Sequence, residues 1–276
     1  MVSPLRSGRT CVNYSVPWNS GMEFCIVFIG DAAYISTQHQ LIMGEFVMRS
    51  CIILDIETTG YPFETLDQSQ RDYLLKFAYS NEEREEEIQR VNLYPYTASI
   101  VCIGMLNVHT EIARIHVVAG EELVDWESED GKAQFCIGDE CAVLQRFWND
   151  VCAYERIVTF NGRMFDAPFL HVRSALLGVR SSRNLMPPRY NSATHYDLME
   201  QLTFYHATRR FSLDFICTAF GIDSPKRHGV TGHDINKLVK DGCIRDIAEY
   251  NERDLRATRE LYLLWMSSLP SVDRNV

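Results

Sequence analysis

The stretch IILDIETTG, residues 52–60, constrains the fold of this chain more than any other feature. Its apolar residues predict a buried strand over residues 51–56, and two carboxylates, Asp55 and Glu57, stand at its end. Side chains at i and i+2 of a strand share one face, so both acids point the same way. Such a pair is repulsive unless a cation lies between the carboxylates, and hard oxygen ligands suit Mg²⁺ or Mn²⁺. The alternative is a strand end that simply reaches solvent.

Periodicity predicts the remaining elements. Further strands are expected at residues 98–106, 113–120 and 156–160, and helices at 68–91, 139–152, 167–177, 211–220, 233–241 and 244–266. Three glycines stand where C-terminal helix caps are expected, namely Gly178, Gly221 and Gly242. Strands followed by alternating helices and a strand predict an α/β fold, with a mixed central β-sheet flanked by α-helices.

Size and composition fit one globular domain with an extension. The chain has 276 residues, of which 46% are hydrophobic and 23% charged. Residues 1–48 are predicted to be an N-terminal extension of uncertain order, and residues 49–276 the main domain. An over-long reading of the gene is the alternative for the extension, because Met43 and Met48 precede the first strong strand.

Charge and cysteine content limit the partners and the compartment. The formal net charge is −10, which matches a nucleic-acid backbone poorly unless metal ions and a few arginines act locally. Nine cysteines without a CxxC pair indicate reduced thiols and a cytoplasmic location. The apolar run at residues 24–30 is too short to span a bilayer, so no membrane partner is expected.

A second group of candidate residues lies in VTFNGRMFDAPFL, residues 158–170. A predicted strand ends there, Asn161 and Gly162 form a turn, and Asp166 precedes a helix with Pro168 in its first turn. Asp is a favoured N-cap and Pro is favoured near the first helical position, so a capping role for Asp166 stays open.

A third group lies on the last predicted helix. One apolar stripe of that helix contains Ile247, Tyr250, Asp254, Thr258, Leu261 and Trp265. A carboxylate in such a stripe is costly unless it is paired, hydrogen-bonded or bound to metal. Tyr250 lies one turn before Asp254, so its hydroxyl reaches the same place. Pairing of Asp254 with Arg253, Arg256 or another basic side chain is the alternative.

Taken in order, D-x-E on a strand, N-x3-F-D before a helix and Y-x3-D on a late helix resemble the DEDDy 3′–5′ exonucleases, which have the ribonuclease H-like fold. The sequence is most similar to the stand-alone exonucleases related to the proofreading domain of family-B DNA polymerases. The resemblance covers roughly residues 49–266 and includes the segments 195–222 and 224–262. It implies five catalytic residues, namely Asp55, Glu57, Asp166, Tyr250 and Asp254.

The resemblance also implies roles for these residues. Asp55 would bridge two divalent ions, Mg²⁺ or Mn²⁺. Glu57 and Asp254 would complete the site of the ion that holds the attacking water, and Asp166 would hold the second ion. Tyr250 would orient the water. The expected substrate-binding residues are Thr58, Thr59, Asn161 and Phe165.

The implied activity is metal-dependent 3′–5′ hydrolysis of single-stranded nucleic-acid ends, DNA favoured, in DNA repair or proofreading. The partner would be a single-stranded DNA or RNA 3′ end. The candidates for phosphate contacts are the segments 180–183 and 226–228 with Arg189, Arg209 and Arg210, and those for base contacts are Phe165 and Phe211. The alternative is that they are ordinary surface and core residues. Two alternatives remain: an RNA-processing exonuclease, and a catalytically silent nucleic-acid-binding or scaffold protein on the same fold.

Overall fold

The computed structural model describes residues 51–223 and 234–269, together with the backbone of four short strands in the first 50 residues. The chain divides into two units, Met1–Ser50 and Cys51–Val276. The first unit contains an antiparallel sheet whose strands lie in chain order: β1 (Pro4–Leu5), β2 (Arg9–Tyr14), β3 (Phe24–Ile29) and β4 (Ala32–Thr37). Sequence analysis found only the apolar run of β3 here. The domain boundary at residue 48 stays a prediction.

The second unit is built on a seven-stranded mixed sheet. Its strands are β5 (Cys51–Gly60), β6 (Ala98–Asn107), β7 (Ala113–Val118), β8 (Trp126–Glu127), β9 (Ala133–Gly138), β10 (Arg156–Thr159) and β11 (His195–Asp197). Their order is β11-β10-β5-β6-β7-β9-β8. Strand β5 is parallel to β10 and antiparallel to β6, so both pairings occur within one sheet. The predicted α/β class is confirmed, and the arrangement is consistent with a ribonuclease H-like fold.

Helices cover both faces of this sheet. Those described are α1 (Gln68–Leu74), α2 (Asn81–Gln89), α3 (Glu140–Val151), α4 (Asp166–Leu176), α5 (Leu198–Leu202), α6 (Leu213–Phe220), α7 (Ile235–Lys240) and α8 (Ile244–Ser268). One core cluster contains apolar residues of α8, and the other contains the apolar faces of α3 and α4. Among the residues described in this unit, no helix is both long enough and apolar enough to span a bilayer.

The prediction of one continuous charged helix over residues 68–91 is wrong. The chain leaves the helical path after Leu74 and begins a second helix at Asn81. The physical reason is a capping box, because the Ser80 side chain accepts a hydrogen bond from the Glu83 N–H and the Glu83 side chain accepts one from Ser80. Ser80 therefore starts a new helix inside the charged segment.

The other predicted elements agree with the structure to within a few residues. All five residues predicted for the apolar face of α3 are buried, namely Val143, Leu144, Phe147, Trp148 and Val151. The three capping glycines have φ values of 68° to 77°, which a side chain would disfavour. Among the strands and α-helices described in this second unit, β8, β9, β11 and α5 were not predicted.

The edge of the sheet where β10 and β5 separate positions the candidate site. Strand β10 pairs with β5 only as far as Ile53, opposite Val158. Beyond that point the backbone of β5 continues alone on this side and offers polar groups that need new partners. The carboxyl ends of parallel strands meet at one edge of a sheet, which is where ligands bind in open α/β folds.

Candidate active site

Three carboxylates converge at this edge. Asp55 and Glu57 lie on one face of β5, Asp254 lies on the face of α8 that packs there, and one oxygen from each lies within 4.8 Å of the others. The ladder between β5 and β6 shifts register between Glu57 and Thr58, so the strand bends directly after the two acids. Residues almost 200 positions apart in sequence thus form a single cluster.

Asp166 lies beside this cluster and bonds the exposed backbone of β5. Its Oδ1 accepts the Ile56 N–H at 3.0 Å, which supplies the partner that β10 no longer offers. Asp166 is the first residue of α4, while Phe165 occupies the N-cap position without a side-chain cap. The capping alternative for Asp166 is therefore wrong.

Burial raises the pKa values of Asp55, Glu57 and Asp166. Burial is the largest cause for Asp55 and Glu57, and the charges of Asp166 and Asp254 raise both pKa values further. Burial raises the pKa of Asp166 to about 7, although hydrogen bonds from backbone N–H groups oppose the rise. A divalent cation would relieve this repulsion, and the all-oxygen donor set fits Mg²⁺ or Mn²⁺.

Asn251 holds Asp55 in place, and sequence analysis did not identify it. Its Nδ2 donates to Asp55 Oδ2 at 2.8 Å, and the residue is completely buried one turn before Asp254. Its Oδ1 has no hydrogen-bond partner within the described part of the chain. Gly104, opposite Asp55 in the ladder, leaves the room for this amide, since a Cβ there would lie 1.9 Å from Asn251 Oδ1.

We expect Asn251→Ala to weaken Mn²⁺ binding and any cleavage by about 10- to 100-fold, the usual cost of removing a group that orients a metal ligand. Mn²⁺ titration followed by electron paramagnetic resonance measures the affinity. Asn149→Ala, at an exposed position on α3, is the control and should bind Mn²⁺ like the wild type. Equal affinity in the Asn251 and Asn149 variants would show that the amide does not support Asp55.

Gly104→Ala should lower the free energy of unfolding by about 1–3 kcal/mol, because overpacking forces α8 away from β6. The added methyl group would also approach Leu255 Cδ1 to 2.7 Å. Urea denaturation measures the loss. Gly138→Ala is a milder comparison, because its Cβ would meet Ala142 Cβ at 3.2 Å. A smaller loss for Gly104→Ala than for Gly138→Ala would contradict this account of the packing.

Tyr250 adds a hydroxyl to the cluster. The residue is buried on the same face of α8 as Asp254. Burial, the nearby charges of Asp254 and Glu57, and a hydrogen bond with the Asp254 side chain raise its pKa, so the phenol keeps its proton. Arg253 lies over the Tyr250 ring with its guanidinium carbon 6.0 Å from the ring centroid, and Arg256 pairs with Glu252.

Two of the predicted substrate-binding residues hold the end of β5. Thr58 is buried, and its hydroxyl donates to the Asn92 carbonyl at 2.8 Å. Thr59 donates to Asn236 Oδ1 at 3.0 Å, and the same oxygen accepts the Gly60 N–H at 2.9 Å. Asn236 of α7 therefore fixes the strand end, a contact that sequence analysis missed.

The other two lie between β10 and α4. Asn161 has a left-handed backbone with φ 66°, and its N–H donates to Asp197 Oδ1 at 3.0 Å. Asp197 also accepts the Arg163 N–H, so it fixes this turn. The half-buried Phe165 ring packs against Phe169, with 5.5 Å between centroids. Asn161 and Phe165 thus lie in the segment that connects β10 to Asp166.

Sequence comparison identifies the family. A model of the family described as a predicted 3′–5′ exonuclease related to the exonuclease domain of PolB matches residues 97–274, well over half of the chain. The chain belongs to this family. The resemblance drawn from the three motifs is thereby confirmed for this PolB-related family. The matched segment contains Asp166, Tyr250 and Asp254, whereas Asp55 and Glu57 precede it.

Other comparisons add little to this family assignment. Among curated proteins, none matches the chain. A solved structure, the family B DNA polymerase from the hyperthermophilic archaeon Pyrobaculum calidifontis, aligns with 15% identity and a TM-score of 0.49. The alignment covers 78% of this chain and 25% of the polymerase chain. This PolB-related chain thus spans about a quarter of the polymerase's length.

Proposed function

We propose that this protein is a metal-dependent 3′–5′ exonuclease that hydrolyses phosphodiester bonds at single-stranded 3′ ends, with DNA as the favoured substrate. The observation that carries the proposal is the convergence of Asp55, Glu57 and Asp254 within 4.8 Å, in a member of an exonuclease-related family. Three mutually repelling carboxylates, of which Glu57 and Asp254 are buried, are costly for stability alone. A site that binds divalent cations accounts for them.

The carboxylates would divide between two ions. Glu57 and Asp254 would hold one ion, Asp166 would hold the other, and Asp55 would contact both. Bound ions of this kind lower the pKa of an attacking water and stabilise the charge on the leaving 3′ oxygen. Asn251 keeps an Asp55 oxygen oriented through its 2.8 Å hydrogen bond. The ions would also offset the unfavourable charge between an acidic protein and a polyanion.

The surrounding residues would position the strand. Tyr250, protonated and next to Asp254, would orient the attacking water with its hydroxyl oxygen. Thr59 and Asn161 would border the terminal nucleotide, and Phe165 would pack against its base. Thr58 is assigned mainly to anchoring β5, because its hydroxyl already bonds the Asn92 carbonyl.

We expect Tyr250→Phe to lower kcat by about 10- to 100-fold with little change in KM, since misplacing the water slows the chemical step. The ring and its packing remain, so urea denaturation should show near wild-type stability. Initial rates on a labelled oligonucleotide measure the effect. A variant with unchanged kcat would remove Tyr250 from the mechanism.

The proposal is tested with 5′-labelled single-stranded DNA, single-stranded RNA and blunt duplex DNA of one sequence. Each substrate is incubated with Mg²⁺, Mn²⁺ or EDTA, beside Asp254→Asn. A metal-dependent ladder strongest on single-stranded DNA and absent in the variant supports it. A ladder mainly on RNA would favour the RNA-processing alternative. Intact substrates, together with a shift of the labelled strand in a native gel, would favour a catalytically silent nucleic-acid-binding protein.

A further inference from the structure

A stack of three flat groups stands exposed at the start of α6. The Phe211 and Phe215 rings lie 4.4 Å apart with planes only 11° from parallel. The Arg209 guanidinium carbon lies 5.2 Å from the Phe211 centroid. Phe211 is 37% exposed and Phe215 55% exposed. We call these three residues the aromatic stack.

The helix that carries the stack packs beside the carboxylates. Cys217 of α6 is buried in the same core cluster as Tyr250. Helix α6 also packs against α8, the helix that carries Tyr250 and Asp254. Phe215 lies two residues before Cys217, on the opposite side of the helix, and its ring is exposed to solvent.

The charge around the stack suits an anionic partner. Arg209 and Arg210 are both exposed, in a chain whose net charge is −10. One acid, Asp214, lies between the two phenylalanines in the sequence, in the first turn of α6. The stack therefore combines flat apolar faces with two neighbouring cations, the composition that binds unpaired bases and their phosphates.

We propose that the aromatic stack binds the single strand upstream of the terminal nucleotide, with a base stacked on the open face of Phe215 and phosphates at Arg209 and Arg210. This inference rests on the proposed function and deepens it, because it assigns an unpaired strand, rather than a duplex, to the exposed surface of α6, which packs on the helix that carries Asp254. Aromatic stacking tolerates any base, so the binding is independent of sequence.

Substrate length provides the test. For Phe215→Ala, we expect kcat/KM on a single-stranded 20-mer to fall about 5- to 100-fold, the fold-change that corresponds to one lost base–aromatic stack. A trinucleotide should be cleaved at the wild-type rate, since it fills the site without reaching far along the surface. Phe215→Trp should restore cleavage of the 20-mer, because a flat aromatic face is retained.

The matched control is Phe77→Ala, which removes another exposed phenylalanine, 71% exposed and lying under Lys76 at 5.2 Å. It should cleave both substrates like the wild type. Equal losses on the trinucleotide and the 20-mer for Phe215→Ala would overturn the proposal, because the effect would then act through the fold of the site. Unchanged cleavage of both substrates by Phe215→Ala would also overturn the proposal, and the exposed rings would then be candidates for contact with a protein partner.

Binding of a fluorescein-labelled single-stranded 20-mer in EDTA, followed by anisotropy, separates this proposal from the proposed function. If the wild type cleaves nothing, the exonuclease proposal fails, while weaker binding by Phe215→Ala than by Phe77→Ala still supports a strand-binding stack. Equal binding by the two variants would overturn the proposed strand-binding role of the aromatic stack, whether or not the wild type cleaves DNA.

Discussion

Asp55→Asn should abolish cleavage, by about 10³-fold or more, and should at the same time stabilise the protein in EDTA. The activity is lost because the variant removes the ligand expected to contact both ions and weakens the stabilisation of charge in the transition state. The gain in stability follows from electrostatics, since the partly buried Asp55 is repelled by Asp166, Glu57 and Asp254. The amide keeps the shape of the side chain and removes the charge.

The two readouts of this variant exclude simple misfolding. Initial rates on labelled DNA measure the first effect, and urea denaturation in EDTA measures the second. Asp72→Asn, at an exposed position on α1, is the matched control and should change neither. Loss of activity together with loss of stability in EDTA would indicate a structural role for Asp55. It would contradict the claim that repulsion among the carboxylates destabilises the metal-free protein.

The stability of the metal-free protein should fall by a few kcal/mol as the pH rises from about 4 to about 8, and Mn²⁺ should reverse the loss. The pKa of Asp166 is raised from 3.8 to about 7 in the folded state. Between these values the unfolded chain has released a proton that the folded chain still holds, so rising pH favours unfolding. Ions that bind only the folded, ionised site shift the balance back.

Urea denaturation at several pH values, in EDTA and with Mn²⁺, measures this dependence. Other groups also titrate, so the decisive quantity is the difference between the wild type and Asp166→Asn. The variant should show a shallower fall with pH in EDTA, since a group with a raised pKa has been removed. Parallel curves for the two proteins would contradict a raised pKa at Asp166.

The faces of the elements were predictable from the sequence because periodicity fixes them. The i, i+2 spacing placed Asp55 and Glu57 together, and the apolar stripe of the last helix placed Asp254 toward the core. The contacts between these elements were not predictable. Asn251 meets Gly104 only through the packing of α8 on β6, and no local pattern of either segment specifies that register.

Local chemistry explains the other differences. The helix predicted over residues 68–91 breaks at Ser80, whose capping box with Glu83 was visible in the sequence but was outweighed by the charge run. The sequence alone left an N-cap role open for Asp166, because an Asp directly before a helix usually caps that helix. The structure instead directs its carboxylate to the Ile56 N–H, a partner that exists only because β10 ends early.

The identity of the first product tests the central claim most directly. A single-stranded DNA 20-mer is incubated with the protein and Mg²⁺ for less than one turnover per strand, and the products are identified by mass spectrometry beside an EDTA control. The account predicts a nucleoside 5′-monophosphate from the 3′ end together with a 19-mer bearing a free 3′ hydroxyl, and no product in EDTA. Release from the 5′ end, internal cuts, or the same products in EDTA would contradict it.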